Sequence, residues 1–109
     1  MILLVDDNSA LVTFLVDVLS AVGRPVLTAG SMRTAVSLLK KGDPIELLIT
    51  DFNLPDGKGI ELSRVARQAH PGIKVLMISG YDVETPGIDF IQKPFGPREI
   101  LTKVRSLLE

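Results

Sequence analysis

The chain has 109 residues, 46% of them hydrophobic and 23% charged, which suits one folded domain, 1–109, with a sizeable core. A net charge of −1 argues against nucleic-acid binding by bulk charge, and the lack of cysteine rules out a disulfide framework or thiol chemistry. No apolar run reaches the roughly 18 residues of a membrane span, and Met1 opens directly into a strand-like segment, so the expected setting is the cytoplasm, free or as part of a larger sensor protein.

Met1–Val5 reads as a buried strand and Ser9–Val22 as a helix stopped by Gly23. Pro25–Ala29 is a short strand. Ser31 is placed to cap a helix running to Lys41, with Gly42 after it. Ile45–Thr50 is the third strand, and Gly59–Ala69 a helix ended by His70-Pro71-Gly72. Ile73–Ile78 and Ile88–Gln92 are the fourth and fifth strands. Gly96-Pro97 opens the last helix, with Ile100, Leu101, Val104, Leu107 and Leu108 on one face. Strands separated by helices, with few polar residues in them, predict a parallel sheet covered on both sides. The expected fold is α/β, a flavodoxin-like doubly wound sheet of five strands in the order 2-1-3-4-5.

One connection is too short for this scheme. Gly80 to Gly87, with two glycines and a proline, separates Ser79 from Ile88, whereas a parallel crossover usually takes a dozen residues or more and a helix. A loop is predicted where the fourth helix would stand. The sheet beside it would be thinly covered, unless Tyr81, Val83 and Pro86 fold over it or a partner does.

The ends of the strands carry the chemistry. The first ends in Asp6-Asp7, the third in Asp51, the fourth in Ser79, and the fifth leads into Lys93-Pro94. In a parallel sheet these ends share one edge, where ligands bind. Three carboxylates, a hydroxyl and an ammonium are what phosphoryl transfer to an aspartate needs: a nucleophile, oxygen ligands for Mg²⁺, and donors to the phosphoryl oxygens. Asp51 is the expected acceptor. Asp6, Asp7, Asp51 and the Asn53 main-chain carbonyl are the expected Mg²⁺ ligands, and Lys93 and Ser79 the phosphoryl partners. Taken alone, Asp51 could cap the turn Leu54-Pro55-Asp56-Gly57, and Asp6, Asp7, Asn8 or Ser9 could cap the first helix. His70, the only histidine, is expected to be exposed and no ligand.

The text Leu3-Leu4-Val5-Asp6-Asp7-Asn8, then Asp51-Phe52-Asn53-Leu54-Pro55 with Gly59, then Ile78-Ser79-Gly80, then Lys93-Pro94-Phe95, resembles the receiver domain of two-component response regulators over essentially the whole chain. The resemblance implies phosphorylation of Asp51 by a histidine kinase or a histidine phosphotransfer protein. It implies a receiver that catalyses its own phosphorylation and dephosphorylation without being a classical enzyme. It makes Ser79 the switch hydroxyl and Phe90 the switch aromatic. Tyr81, for its part, is expected as a loop residue near the site mouth, where it tunes phosphate lifetime. Gln92-Lys93-Pro94-Phe95 resembles receivers of hybrid histidine kinases. The partner is expected on the first helix, at Leu11, Phe14, Leu15 and Val18, and on the Lys93-Pro94-Phe95 loop, with the chain a monomer or weak dimer. Two other readings compete. A haloacid dehalogenase-like phosphatase also uses an Asp nucleophile, Mg²⁺, a hydroxyl and a Lys, but places its nucleophile after the first strand in an Asp-x-Asp motif, which Asp6-Asp7-Asn8 does not match. A receiver-fold binding module that works without phosphorylation usually lacks a site residue, and none is missing here.

Overall fold

All four residues of β1 (Ile2–Val5) are buried, with Leu3 and Val5 in one apolar cluster and Ile2 and Leu4 in another. Successive side chains on a strand point to opposite faces, so such a strand needs cover on both. The computed structural model, which describes residues 1–109, provides it. After β1 come α1 (Ser9–Leu19), β2 (Val26–Ala29), α2 (Met32–Leu39), β3 (Leu47–Asp51), β4 (Asn53–Leu54), β5 (Gly57–Lys58), α3 (Gly59–Ala69), β6 (Lys74–Ser79), β7 (Asp89–Gln92) and α4 (Pro97–Leu108).

Five of the strands form a parallel sheet in the order β2-β1-β3-β6-β7. Counted among themselves these are strands 2-1-3-4-5, the predicted doubly wound arrangement. Leu15 and Leu19 of α1 and Ile100 and Val104 of α4 pack on one face, against Ile2, Leu4, Leu47, Ile49, Leu76 and Ile78. Ala35 and Leu39 of α2 and Leu62 and Ala66 of α3 pack on the other, against Leu3, Val5, Leu48, Val75 and Met77. Each large aliphatic side chain sealed in these layers contributes about 1.5–3 kcal/mol.

The helix ends follow from capping chemistry. The Asn8 side chain accepts from Leu11 N at 3.2 Å at the start of α1. The α1 segment tightens into a 3₁₀ turn over Ser20–Val22 and stops at Gly23, whose φ of +75° suits glycine. Ser31 caps α2 through Thr34 N at 3.2 Å. This helix ends at Leu39, earlier than the expected Lys41. His70 caps the C-terminus of α3 and corrects the expectation of an exposed histidine. It is half-buried, and its Nε2 lies 2.8 Å from the Leu39 carbonyl, which makes Nε2 the protonated nitrogen.

No helix forms between β6 and β7, as predicted. The loop is held from the neighbouring helix, because Arg67 Nη2 of α3 donates to the Gly87 carbonyl at 3.1 Å. Ile88 and Phe90 are half-buried against the α2–α3 layer. Tyr81 does not fold over the sheet; it is 51% exposed, and the only other exposed large apolar side chains are Phe14 and Val16. Beside the short crossover, Val83 is half-buried, like Ile88 and Phe90. One element was not anticipated: β4 and β5 form a two-residue antiparallel hairpin directly after the Asp51 strand. No helix is long and apolar enough to cross a membrane.

Candidate functional site

The strand register sets the site. Val5 is level with Thr50, Asp51 with Ile78, and Ser79 with Gln92. The next residue along each chain, or the strand's last one, brings Asp6, Asp51, Ser79 and Lys93 to one edge. Asp6, Asp7 and Asp51 each offer a carboxylate oxygen, and the three lie within 4.8 Å of one another. Lys93 Nζ stands 3.7 Å from Asp6 Oδ2 and 3.8 Å from Asp51 Oδ2. Asp6 is buried, Asp51 half-buried and Asp7 exposed, so the cluster runs from the sheet interior to the solvent.

Electrostatics leave this group short of positive charge. Burial pushes the Asp51 carboxyl above its ordinary pKa of 3.8, the charge of Asp6 adds to the rise, and Lys93 with the Asn53 and Phe52 backbone groups opposes it. Asp6 Oδ1 accepts from Asn8 N at 2.8 Å, but Asp6 Oδ2 is buried with no hydrogen-bond partner. A buried carboxylate oxygen that has only the Lys93 ammonium at 3.7 Å, with no hydrogen bond, and faces two further carboxylates has room for another cation. An all-oxygen donor set of this kind fits a hard divalent ion such as Mg²⁺.

Close packing fixes the strand end that carries Asp51. Phe52 N donates to Ile78 O at 2.8 Å and Gly59 N to Phe52 O at 2.8 Å. The buried Thr50 hydroxyl donates to the Asp51 carbonyl at 3.0 Å. A Cβ on Gly59 would lie 2.4 Å from that same carbonyl oxygen and 2.7 Å from Met77 Sδ. Only glycine lets α3 start this close to the Asp51 backbone. The sequence shows Gly59 as part of the motif but not this reason for it.

Ser79 is buried, and its Oγ accepts from Tyr81 N at 3.2 Å, so the hydroxyl proton is free to donate elsewhere. Lys93 N donates to Ser79 O at 2.7 Å, which ties those two residues together through their backbones. The Asn53 side chain bonds to none of Asp6, Asp7 and Asp51. Its Nδ2 donates to Tyr81 Oη at 2.8 Å, and its Oδ1 accepts from Lys58 Nζ at 2.6 Å. The Tyr81 ring stands edge-on to Phe52 at 6.1 Å. Tyr81 thus sits at the mouth, as expected. Lys58 joins it there without any signal in the sequence, since its contacts depend on the hairpin. Phe90 is level with Met77 on β7, away from the carboxylates.

Beside the carboxylates a groove of about 310 Å³ is lined by Asn8, Leu11, Phe14, Lys93, Pro94 and Phe95. It joins the first helix to the loop after β7, the two places expected to meet a partner. Phe14 is 38% exposed, and Leu11 and Val18 are half-buried. Leu15 corrects the expectation: it is 0% exposed, packed on the sheet, and cannot touch a partner.

Comparison with known proteins agrees with this geometry. A family model described as "Response regulator receiver domain" matches residues 2–105. The response regulator receiver protein CpdR of Brucella abortus is 30% identical over 115 residues, covering 98% of this chain and 95% of that protein. The transcriptional regulatory protein CpxR of Escherichia coli is 32% identical over 115 residues. Here the chain spans about half of the relative, 48% of its length. Among solved structures, a response regulator receiver protein from Sinorhizobium medicae superposes with a TM-score of 0.90 at 30% identity, over 98% of this chain and 92% of that one. The receiver domain of the hybrid histidine kinase CckA superposes at 0.89 and 30% identity, over 99% and 98%.

Proposed function

The chain belongs to the response regulator receiver domain family, and from that premise we propose that it is a phosphoacceptor module in which Asp51 takes a phosphoryl group from a phosphohistidine. The observation that carries this reading is the Asp51 carboxylate, within 4.8 Å of Asp6 and Asp7 and 3.8 Å from the Lys93 ammonium.

In the transfer, the phosphorus–nitrogen bond of the donor histidine breaks and an Asp51 Oδ–phosphorus bond forms; the imidazole leaves with the electron pair and takes up a proton. Asp6, Asp7, Asp51 and the Asn53 main-chain carbonyl would hold Mg²⁺, which when bound neutralises charge on the phosphoryl oxygens. Lys93 already faces the acceptor oxygen and would pair with a phosphoryl oxygen as one develops. The Ser79 proton, unused in this state, would donate to another and draw β6 toward the phosphate. Phe90, beside Met77 on β7, would turn inward as Ser79 moves, giving the two-state element. The Tyr81–Asn53–Lys58 chain covers the mouth and would set how readily water reaches the acyl phosphate.

The donor is a histidine kinase or a histidine phosphotransfer protein, seated in the groove of Leu11, Phe14, Pro94 and Phe95. Such partners place the module in the cytoplasm. The test is incubation with acetyl phosphate or a phosphoramidate and Mg²⁺, read by intact mass, on wild type and Asp51→Asn. One Mg²⁺-dependent phosphoryl adduct on wild type and none on the variant is expected. No adduct, or one that survives the substitution, rejects Asp51 as the acceptor.

A further inference from the structure

Helix α2 starts without an acidic residue in its first turn. The first turn of a helix presents unpaired N–H groups and a partial positive charge, which a carboxylate stabilises. Ser31 takes only Thr34 N. Met32 N and Arg33 N are taken by Asp56, from the tip of the β4–β5 hairpin more than twenty residues away, at 2.8 Å to Oδ1 and 3.0 Å to Oδ2. A second contact stands beside this one: a Cβ built on Gly57 would lie 2.4 Å from Met32 Sδ, so the Met32 side chain rests on the hairpin backbone. The Asp56 carboxyl lies below its ordinary pKa because the Arg33 and Met32 N–H groups hold its charged form.

The hairpin is also the segment that leaves Asp51. Asn53, two residues on, pairs with Lys58 across it, and Leu54 is buried in the core beneath α2 and α3. Asn53 therefore sits between the carboxylate cluster at one end of the hairpin and the α2 N-terminus at the other. We propose that Asp56 is a positioning residue for the Asp51 site: its two-oxygen grip on the first turn of α2 holds the hairpin, and through it the Asn53 backbone, in the geometry that cation binding requires. The inference rests on the function proposed above. By linkage, a hairpin that both sites bias couples them in both directions, so filling the carboxylate cluster also tightens Asp56 on α2.

The test is a Mg²⁺ titration of the whole chain followed by amide NMR, on wild type, Asp56→Ala and Asp56→Asn, with urea melts alongside. In wild type, Mg²⁺ should move the Met32 and Arg33 amide resonances together with those of Asp6 and Asn53. Asp56→Ala should weaken Mg²⁺ binding by about tenfold, the low end for loss of an outer partner of a metal site, and should uncouple the Met32 and Arg33 signals. Asp56→Asn keeps one acceptor and should fall between the two. A common loss in both variants that disappears at high salt would mean a long-range charge effect and would overturn the proposal. So would wild-type Mg²⁺ affinity in Asp56→Ala, or still Met32 and Arg33 amides on saturation of wild type. A wild type that binds no Mg²⁺ at all would overturn the site reading itself, whereas a failure confined to the Asp56 variants leaves that reading standing.

Discussion

In Mg²⁺-free buffer, Asp51→Asn should make the protein more stable at neutral pH. Asp51 carries its charge half-buried, no more than 4.8 Å from oxygens of Asp6 and Asp7 and 3.8 Å from Lys93. At an effective dielectric of about 20, unit charges at those two distances interact by roughly 3.5 and 4 kcal/mol. Repulsion from Asp6 and attraction to Lys93 therefore nearly offset, and the charge of Asp7, exposed to water, acts through a higher dielectric and counts for less. What remains is the cost of burying the charge, the same cause that leads the upward shift of this carboxyl, offset in part by the Asn53 and Phe52 backbone groups. The amide keeps the shape and removes that cost, a gain of about 1–2 kcal/mol. With a urea slope of about 2 kcal/mol per molar, the midpoint should rise by roughly 0.5–1 M. The pH dependence gives the sign independently. A carboxyl whose folded pKa lies above 3.8 binds its proton more tightly in the native state, so its contribution to stability falls as pH rises through the window above 3.8. The gap between variant and wild type should be closed below that window, open across it, and be full at pH 7. Asp56, shifted the other way, titrates below 3.8 in both proteins and drops out of the difference. Saturating Mg²⁺ should stabilise wild type and narrow the gap. An unchanged or lower midpoint for the variant at pH 7 in EDTA, or a gap that persists at pH 3, would refute the argument.

Gly59→Ala should lower stability by about 1–3 kcal/mol despite alanine's better helix propensity, because its Cβ meets the Asp51 carbonyl and Met77. A urea melt checks this, and an unaffected midpoint would show that α3 can shift freely. On the first helix, adjacent residues should part company. Leu15→Ala should cost about 2–5 kcal/mol through a core cavity. Phe14→Ala should stay within about 0.5 kcal/mol of wild type and instead slow phosphoryl transfer from the protein donor, but not from acetyl phosphate. Equal transfer rates from the protein donor would remove Phe14 from the docking surface.

Much of this was legible in the sequence, for reasons that differ by residue. Helix α3 runs from Gly59 to Ala69 as read, because its start and stop are marked locally by Gly59 and by His70-Pro71-Gly72. The parallel order followed from alternating strands and helices, and the short crossover from counting residues. Asp6, Asp7, Asp51 and Lys93 were placed together because parallel strand ends share an edge. The partition of α1 was not legible. Eight apolar residues surround that helix, so its rotational phase against the sheet has no unique solution in the sequence, and Leu15 was placed outside when it is core. The grip of Asp56 on α2 and the His70–Leu39 bond were missed because each joins distant segments that no local pattern encodes. The hairpin is local, but its strands are only two residues each, so Leu54-Pro55-Asp56-Gly57 reads as a turn and nothing more.

The short connection between β6 and β7 also bears on how the chain reaches this fold. Their register pairs Leu76 with Asp89, 13 residues apart, whereas β1 and β3 pair Ile2 with Leu47, 45 apart. Closing the smaller loop is cheaper by about 1 kcal/mol of chain entropy. Of the four parallel pairings, β6–β7 is the most local, and local contacts form first on entropic grounds. The Ser79 and Lys93 half of the acceptor site thus rides on the pairing quickest to close, and the carboxylate half arrives when β1 and β3 join.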